Sequence, residues 1–159
     1  MKKVLFSLML FFAAVFYAPA QVNPHAIGLR FGGGGDVLGG EISYQHGLGS
    51  TNRLELDLGL GSGNSWSRTD LTGIYQWDWN ITSGLNWFVG PGATLGWWKP
   101  SNNSGYFNIG VGGQIGLEYD FKKVGAPILL SLDTRPMWNL TGSGSGFGWG
   151  AALGVRYVW

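Results

Sequence analysis

The residues that could perform catalysis are few in this chain. His25 and His46 are its only histidines, and it contains no cysteine. Hydrolysis or acyl transfer needs a nucleophile beside a base. Ser43 lies three residues before His46, and in a strand this spacing puts the two side chains on opposite faces. Two well-separated histidines without cysteine also give no metal-ligand pattern. We therefore expect no enzyme activity, no catalytic residue, no metal site and no cofactor.

Charged residues form a more regular pattern, because those of both signs recur at alternate positions of extended segments. Such a set could form an ion path, bind a ligand, or pack as a network of salt bridges and hydrogen bonds. The choice depends on the elements that carry the charges and on the face that they share. The set is Arg30, Glu41, Arg53, Glu55, Asp57, Asp78, Glu118, Asp120, Asp133, Arg135 and Arg156.

The composition does not suit a surface in water. Only 12% of residues are charged, against about 25% in a typical soluble domain. The 159 residues include 29 glycines and 9 tryptophans, and no apolar run after residue 20 is long enough for a spanning helix. If the protein meets a membrane, it does so with strands.

The first twenty residues, MKKVLFSLMLFFAAVFYAPA, have the layout of a secretory signal peptide. Lys2 and Lys3 precede an apolar run that ends in Ala-Pro-Ala, so we expect cleavage before Gln21. The alternative, a signal anchor, is disfavoured because the run is shorter than the roughly 20 residues of a spanning helix. Residues 21–159 then form one domain with eight basic and nine acidic residues. This balance gives no basic excess, so we expect no nucleic-acid partner.

Hydrophobicity in this domain repeats every two residues, which predicts strands and no helix. In RLELDLGLG, leucines occupy one face and Arg53, Glu55 and Asp57 the other. Turns rich in Gly, Ser and Asn separate eight such segments. We predict strands at residues 25–32, 38–47, 53–61, 71–79, 85–97, 106–121, 127–138 and 147–159.

Alternation alone leaves two architectures open. An inward apolar face would give a soluble, lipocalin-like barrel that carries an apolar ligand. An outward apolar face would give a transmembrane barrel with a polar interior. Glycines on the charged face favour the second, because inside a narrow barrel they would leave room for long charged side chains.

Aromatic spacing also favours the membrane. Trp87 and Trp97, and likewise Trp149 and Trp159, are ten residues apart on the apolar face. Ten tilted strand residues span about 25 Å, the height of the apolar band between aromatic girdles. An eight-stranded meander with both ends periplasmic sorts the aromatic residues into two belts. The girdle residues are Tyr44, Trp77, Trp79, Trp87, Tyr119 and Tyr157 in one belt, and Trp97, Phe107, Trp138 and Trp149 in the other.

With the strands placed, the chain resembles the small eight-stranded outer-membrane barrels of the OmpA/OmpX type. The resemblance lies in hairpins such as LTGIYQWDWNITSGLNWFVGPGATLG and IGLEYDFKKVGAPILLSLDTRPMW, and it covers nearly all of residues 25–159. It implies an all-β, antiparallel, up-and-down transmembrane barrel in the outer membrane of a Gram-negative-type cell. By the same resemblance, Leu153, Val155, Tyr157 and Trp159 match the C-terminal signal that barrel-assembly machinery recognises during insertion.

The resemblance is silent about activity, and the interior charges leave two functions open. A barrel of eight strands is just wide enough for side chains to fill, so we expect a packed polar network in a protein with a structural or surface-interaction role, or in a subunit of an envelope complex. The alternative is a narrow channel for water or small solutes. Four arginines against seven carboxylates leave an excess of negative charge, so we expect some carboxylates to be protonated, solvated or at the rims. Expected contacts are outer-membrane lipid, lipopolysaccharide and an envelope protein.

Residues 33–37, 62–70, 98–105 and 139–146 are expected to form the outer loops, where Arg68 and Lys99 could touch lipopolysaccharide headgroups.

Pro91 falls in the middle of the fifth strand and has no N–H to donate, so a bulge or a missing ladder bond is expected there.

Overall fold

The architecture is a closed barrel of eight antiparallel strands. A computed structural model describes residues 22–34, 39–63, 65–100, 104–142 and 146–159, so the predicted signal peptide lies outside the described residues. Each strand pairs with the next, and the first pairs with the last. The predicted all-β, up-and-down barrel is confirmed. The strands are β1 (His25–Gly33), β2 (Gly39–Gly47), β3 (Asn52–Gly63), β4 (Trp66–Thr82), β5 (Leu85–Pro100), β6 (Tyr106–Asp120), β7 (Ile128–Asn139) and β8 (Gly146–Val158).

Closure joins the two ends of the described chain. Leu29 pairs with Val155, and Arg30 with Gly154, across the β1–β8 ladder. The backbone N–H of Trp159 donates to the carbonyl of His25 at 3.2 Å. We call this end of the barrel the near rim and the opposite end the far rim. A 3₁₀ turn, Phe121–Val124, joins β6 to β7 at the near rim. No helix within the described ranges is long and apolar enough to cross a membrane.

Burial alternates along each strand and gives the barrel a polar inside and an apolar outside. In β8, Ala152, Gly154 and Arg156 are buried, whereas Leu153, Val155 and Tyr157 are between 41% and 55% exposed. This arrangement is the reverse of a soluble carrier, which would bury the apolar face. The outward face therefore needs an apolar surrounding, and a lipid bilayer supplies one.

Three strands extend at least two residues further toward the far rim than predicted, and residues 62–63 continue β3. Residues 66–70 continue β4, and residues 98–100 continue β5. The prediction that Arg68, Asp70 and Lys99 lie in loops is therefore wrong. Serine, arginine and proline in these segments are typical of loops. In the structure, however, Arg68 pairs with Trp98 and Ser67 with Lys99 in a regular ladder.

Pro91 interrupts the β4–β5 ladder as predicted. Ile74 pairs with Gly92 and Trp77 with Val89 in one register, but the two intervening positions of each strand do not pair. The missing ladder bond is confirmed, and no bulge accompanies it. Pro136 interrupts the β6–β7 ladder in the same way, between the pairs Gly112–Met137 and Ile115–Thr134.

Candidate functional site: the filled interior

The interior of the barrel contains all eleven charged residues of the alternating pattern. They lie on β1 to β4 and β6 to β8, and none is more than 8% exposed. They are Arg30, Glu41, Arg53, Glu55, Asp57, Asp78, Glu118, Asp120, Asp133, Arg135 and Arg156. The structure thus brings together residues that are up to 126 positions apart in the chain.

Arg30 and Arg135 form the centre of one cluster and share two carboxylates. Arg30 donates to Glu41 and to Asp133, and its Nη1 lies 3.4 Å from Asp57 Oδ2. Arg135 donates from Nη1 to Glu41 Oε1 at 3.1 Å and from Nη2 to Asp57. Glu41 and Asp57 therefore each bridge the same two guanidinium groups, which links β1, β2, β3 and β7 across the lumen.

Arg156 and Glu55 form a second set of contacts. Arg156 Nη2 lies 2.9 Å from Glu55 Oε2, and the same guanidinium donates to the hydroxyls of Ser43 at 3.0 Å and Ser131 at 2.8 Å. Glu55 also accepts from Gln45 at 2.6 Å. These neutral partners use the remaining hydrogen-bonding capacity of the ion pair, as a buried pair requires.

Arg53 forms a third cluster. It makes two parallel bonds to Glu118, at 2.8 Å and 2.6 Å, and its Nη1 lies 3.1 Å from Asp78 Oδ2. The Phe88 ring covers the guanidinium, with its centroid 5.0 Å from Cζ. Gln76 accepts from Arg53 and donates to Gln114 at 2.7 Å, and Gln114 donates to Glu55 at 3.1 Å. The second and third clusters are thus connected.

The interior contains more carboxylates than arginines, and the structure shows how they are paired. Within the described interior, carboxylates share arginines rather than each having a separate cation. Asp120 differs, since it lies at the near rim, where it accepts from Asn23 Nδ2 and from the backbone N–H of Lys122, both at 2.8 Å. That rim position matches one of the three expected ways to relieve the excess charge.

An ion pair near the far rim was not predicted from the sequence. Arg68 and Asp70 form a salt bridge, and they are only 4% and 5% exposed. The Arg68 guanidinium lies 5.2 Å from the Trp98 ring centroid. Arg68 and Asp70 share parity with Asp78, so continuing the alternation through the supposed loop would have found them.

The interior glycines do not all make room for charged side chains, and that part of the prediction is wrong. A Cβ on Gly154 would lie 2.8 Å from Arg156 Nη1, as expected. A Cβ on Gly92 would instead lie 2.1 Å from Ile74 Cδ1, and one on Gly116 2.6 Å from Phe88 Cζ. Ile74 and Phe88 are buried on the inner face. Gly92 and Gly116 thus accommodate apolar interior residues, whereas Gly96 of β5 makes room for the Asp70 carboxylate.

The interior is closed to solvent at its centre. Arg30 and Arg135 are 0% exposed, Arg156 is 1% and Arg53 is 2%. Because a water molecule does not reach these groups in this structure, passage of water or a solute would require side chains to move. The polar network therefore packs the lumen rather than lining an open path.

The histidines lie outside this network, on the outer face at the near rim. His25 Nδ1 is 2.9 Å from the Tyr44 hydroxyl and 3.3 Å from His46 Nδ1, and its ring stacks on Trp159. Ser43 faces the interior and accepts from Arg156, so it has no contact with His46. Within the described ranges, no three or more His, Cys, Asp or Glu residues are grouped to hold a metal ion.

The predicted girdle residues all lie on the outer face. Trp79 stacks on Trp87 at 4.5 Å near one rim, and Trp97 lies 6.4 Å from Phe107 near the other. Tyr44, Trp77, Tyr119 and Tyr157 lie toward the near rim, and Trp138 and Trp149 toward the far rim. Leu153, Val155, Tyr157 and Trp159 form one outward row of the last strand. Their role in assembly stays a prediction.

Comparison with known proteins gives a likeness of fold. No family model matches the chain, and no curated protein matches it. Neisserial surface protein A has a TM-score of 0.63 at 15% identity, covering 85% of this chain and 96% of that one. The N-terminal β-barrel domain of Pseudomonas aeruginosa OprF gives 0.60 at 13% identity, covering 84% and 96%. Ail, the attachment invasion locus protein of Yersinia pestis, gives 0.53 at 10% identity, covering 85% and 96%. At these identities the likeness shows that the chain has the fold of OmpA/OmpX-type barrels.

Proposed function

We propose that this protein is a non-catalytic integral protein of the outer membrane, with a structural or surface-interaction role or a place in an envelope complex. One observation carries the proposal: a closed barrel combines an apolar outer face with four central arginines that are at most 2% exposed. A soluble protein would expose the opposite face, and a conducting pore would wet its interior charges. The three similar folds support the location, since outer-membrane barrels share this architecture.

In this proposal the outer face contacts outer-membrane lipid and lipopolysaccharide. The start of β1 and the end of β8, which meet at the near rim, both face the periplasm. Connections at the two rims are of similar length, two to seven residues, so turn length does not assign the orientation and labelling of the two rims decides it. Barrel-assembly machinery would recognise the outward row that ends in Trp159. A further envelope protein is the expected partner for the far rim.

Two single-cysteine variants test location and orientation. The chain has no cysteine, so Ser104→Cys near the far rim and Ser50→Cys near the near rim each create one reactive thiol, and both serines are exposed. On intact cells, a membrane-impermeant maleimide should label Ser104→Cys only, and permeabilised cells should label both. Labelling of Ser50→Cys on intact cells would reject the orientation, and recovery of the protein in the soluble fraction would reject the location.

Conductance separates the filled barrel from the narrow channel. In planar bilayers the purified protein should give no stepwise current, with a porin as positive control. Stepwise current from the unmodified chain would favour the channel. Purification from gently solubilised outer membranes would then show whether an envelope protein accompanies the barrel.

Deletion of Trp159 tests the assembly role. The expected result is less protein in the outer membrane, while the refolded barrel keeps its heat-dependent mobility on gels. Leu140→Ala, an exposed apolar change near the far rim, serves as the control. Normal outer-membrane levels of the truncated protein would contradict the role.

A further inference from the structure

A groove runs along the outer face of the barrel beside β6 and β7. It consists of two adjoining depressions of about 410 Å³ and about 190 Å³, which share Leu117 and Leu132 in their lining. Trp87 lines the first, and Tyr119 and Leu130 line the second. The groove therefore leads from mid-barrel to the near rim on the apolar side.

Small side chains create the groove. Thr134 pairs with Ala151 between β7 and β8, and with Ile115 between β7 and β6. The Thr134 hydroxyl donates to the Gly150 carbonyl at 2.9 Å and accepts from the Trp149 indole. Both contacts satisfy the hydroxyl within the barrel, so Thr134 does not require a polar partner from the groove.

The length of the groove matches one leaflet. From Thr134 to Leu130 the strand covers four residues, or about 13 Å along the strand and about 10 Å of height at a tilt of about 40°. The apolar band of a barrel is about 25 Å tall, so the groove crosses about two fifths of it, close to the depth of one leaflet. In a bilayer, the residues that line an empty groove lose dispersion contacts unless another molecule fills it. The molecule available at this depth is a lipid of the near-rim leaflet, through its acyl chain.

Two lysines lie at the near rim on the turn that joins the two strands beside the groove. Lys122 and Lys123 are exposed on the 3₁₀ turn that joins β6 to β7, the strands beside the groove. They also line a polar pocket of about 340 Å³ with Asn23 and Asp120. The Asp120 carboxylate is engaged by Asn23 and by the Lys122 backbone, and Lys122 Nζ lies 3.4 Å from Asn23 Oδ1.

From this arrangement we propose that the groove is a binding site for one anionic phospholipid. An acyl chain lies between Ile115 and Ala151 and runs past Leu132, and the phosphate group lies against Lys122 and Lys123. The site rests on the membrane location in the proposed function, and reconstitution with a single lipid tests it whichever rim is periplasmic.

Native mass spectrometry of the full barrel, reconstituted with phosphatidylglycerol or phosphatidylcholine, tests the site. The unmodified chain should retain one phosphatidylglycerol more strongly than phosphatidylcholine. Each lysine near an anionic surface contributes roughly a fivefold preference, so Lys122→Gln with Lys123→Gln should lower phosphatidylglycerol retention by roughly 25-fold. Lys99→Gln, an exposed lysine near the far rim, should leave it unchanged.

A second pair of variants tests the groove itself. Ala151→Leu fills the groove and should lower retention of both lipids, whereas Ala93→Leu, at an exposed outward position of β5, should not. Equal retention of the two lipids by the unmodified chain, equal loss in Lys99→Gln, or a dimer that Ala151→Leu abolishes would overturn the proposal. Heat-dependent mobility verifies that each variant is folded. A conducting or misoriented barrel would still give the expected lipid result, so failure of the proposed function would be distinguishable.

Discussion

Strands β3 and β5 pair in the same antiparallel way but present different inner faces. The inner face of β3 carries Arg53, Glu55 and Asp57. Through ion pairs and hydrogen bonds these side chains contact residues of β1, β2, β4, β6, β7 and β8, but none of β5. The inner face of β5 carries no charge, and Gly90, Gly92 and Gly96 leave it thin. Strand β3 therefore connects the interior through polar contacts, whereas the glycines of β5 leave space that neighbouring side chains fill.

The ladders differ in the same direction. The pairing of β3 with β2 and β4 is continuous, whereas that of β5 with β4 lacks two pairs beside Pro91. A substitution in β3 should therefore act through lost ion pairs, and one in β5 through steric fit. The following predictions test this division, with the free energy of unfolding measured by denaturant titration in lipid vesicles.

The largest effect is expected from Arg53→Met in β3. It leaves Glu118 and Asp78 buried without their guanidinium, and breaking a buried pair lowers the free energy of unfolding by about 3–5 kcal/mol. Adding Glu118→Gln and Asp78→Asn should restore part of the loss, because the unpaired charges are removed. A loss below about 1 kcal/mol in the single variant would show that β3 does not connect the interior.

Gly92→Ala in β5 is expected to lower the free energy of unfolding by about 1–3 kcal/mol through overpacking. The new Cβ would lie 2.1 Å from Ile74 Cδ1 and 2.6 Å from the Gly73 carbonyl oxygen. Ile74→Val deletes Cδ1, so the double variant should recover part of the loss.

Gly59→Ala in β3 is the matched control for Gly92→Ala. Its Cβ would meet Glu41 Cγ at 3.5 Å, an ordinary contact. Alanine also restricts the unfolded chain, so this variant should be neutral or up to about 1 kcal/mol more stable. Equal destabilisation by both alanines would remove the steric distinction between the strands.

Thr94→Val is expected to have a smaller effect, about 1 kcal/mol, because it removes one hydrogen bond from β5. The Thr72 hydroxyl donates to Thr94 at 3.0 Å in the buried interior. Thr69→Val, at an exposed position of β4, controls for the change of residue type. A loss as large as that of Arg53→Met would place an essential polar contact on β5.

Pro91→Ala should have the smallest effect, below about 1 kcal/mol. The variant gains an N–H for the interrupted ladder, worth about 0.5–1.5 kcal/mol, but it loses the restriction that proline places on the unfolded chain, about 0.4–1 kcal/mol. The titration should give nearly superimposable curves for this variant and the unmodified chain. A loss of 2 kcal/mol or more would mean that the proline ring has a packing role.

The sequence was sufficient for the fold because lipid and lumen impose an alternation that each strand displays by itself. In β3 and β8 the alternation of residue types is enough to assign each side chain to the inner or the outer face. The far-rim parts of β4 and β5 are less evident, since Trp66–Asp70 and Trp98–Pro100 mix polar and aromatic residues. Only the parity that Arg68 and Asp70 share with Asp78 indicates that the strand continues there.

The interior partners were predictable in kind but not in detail. Charge parity identifies Arg30 and Asp133 as interior residues, but their contact depends on the closure of the barrel and the tilt of its strands. The fit of Gly92 against Ile74 depends on register between neighbouring strands, which a single strand does not encode. Ile74 shares the parity of Asp78, so the alternation places it inward, but an apolar residue on this face gives no sign of its partner.

Strand length gives the molecule an oblique outline. The described strands β1 and β2 have nine residues each, whereas β4 has 17 and β5 has 16. At about 3.4 Å per residue and a tilt of about 40°, the short side is about as tall as the apolar band and the long side exceeds it by well over 10 Å. Among the described strands, β4 and β5 therefore project beyond the apolar band on one side of the barrel, whereas β1 and β2 end close to its edge on the other.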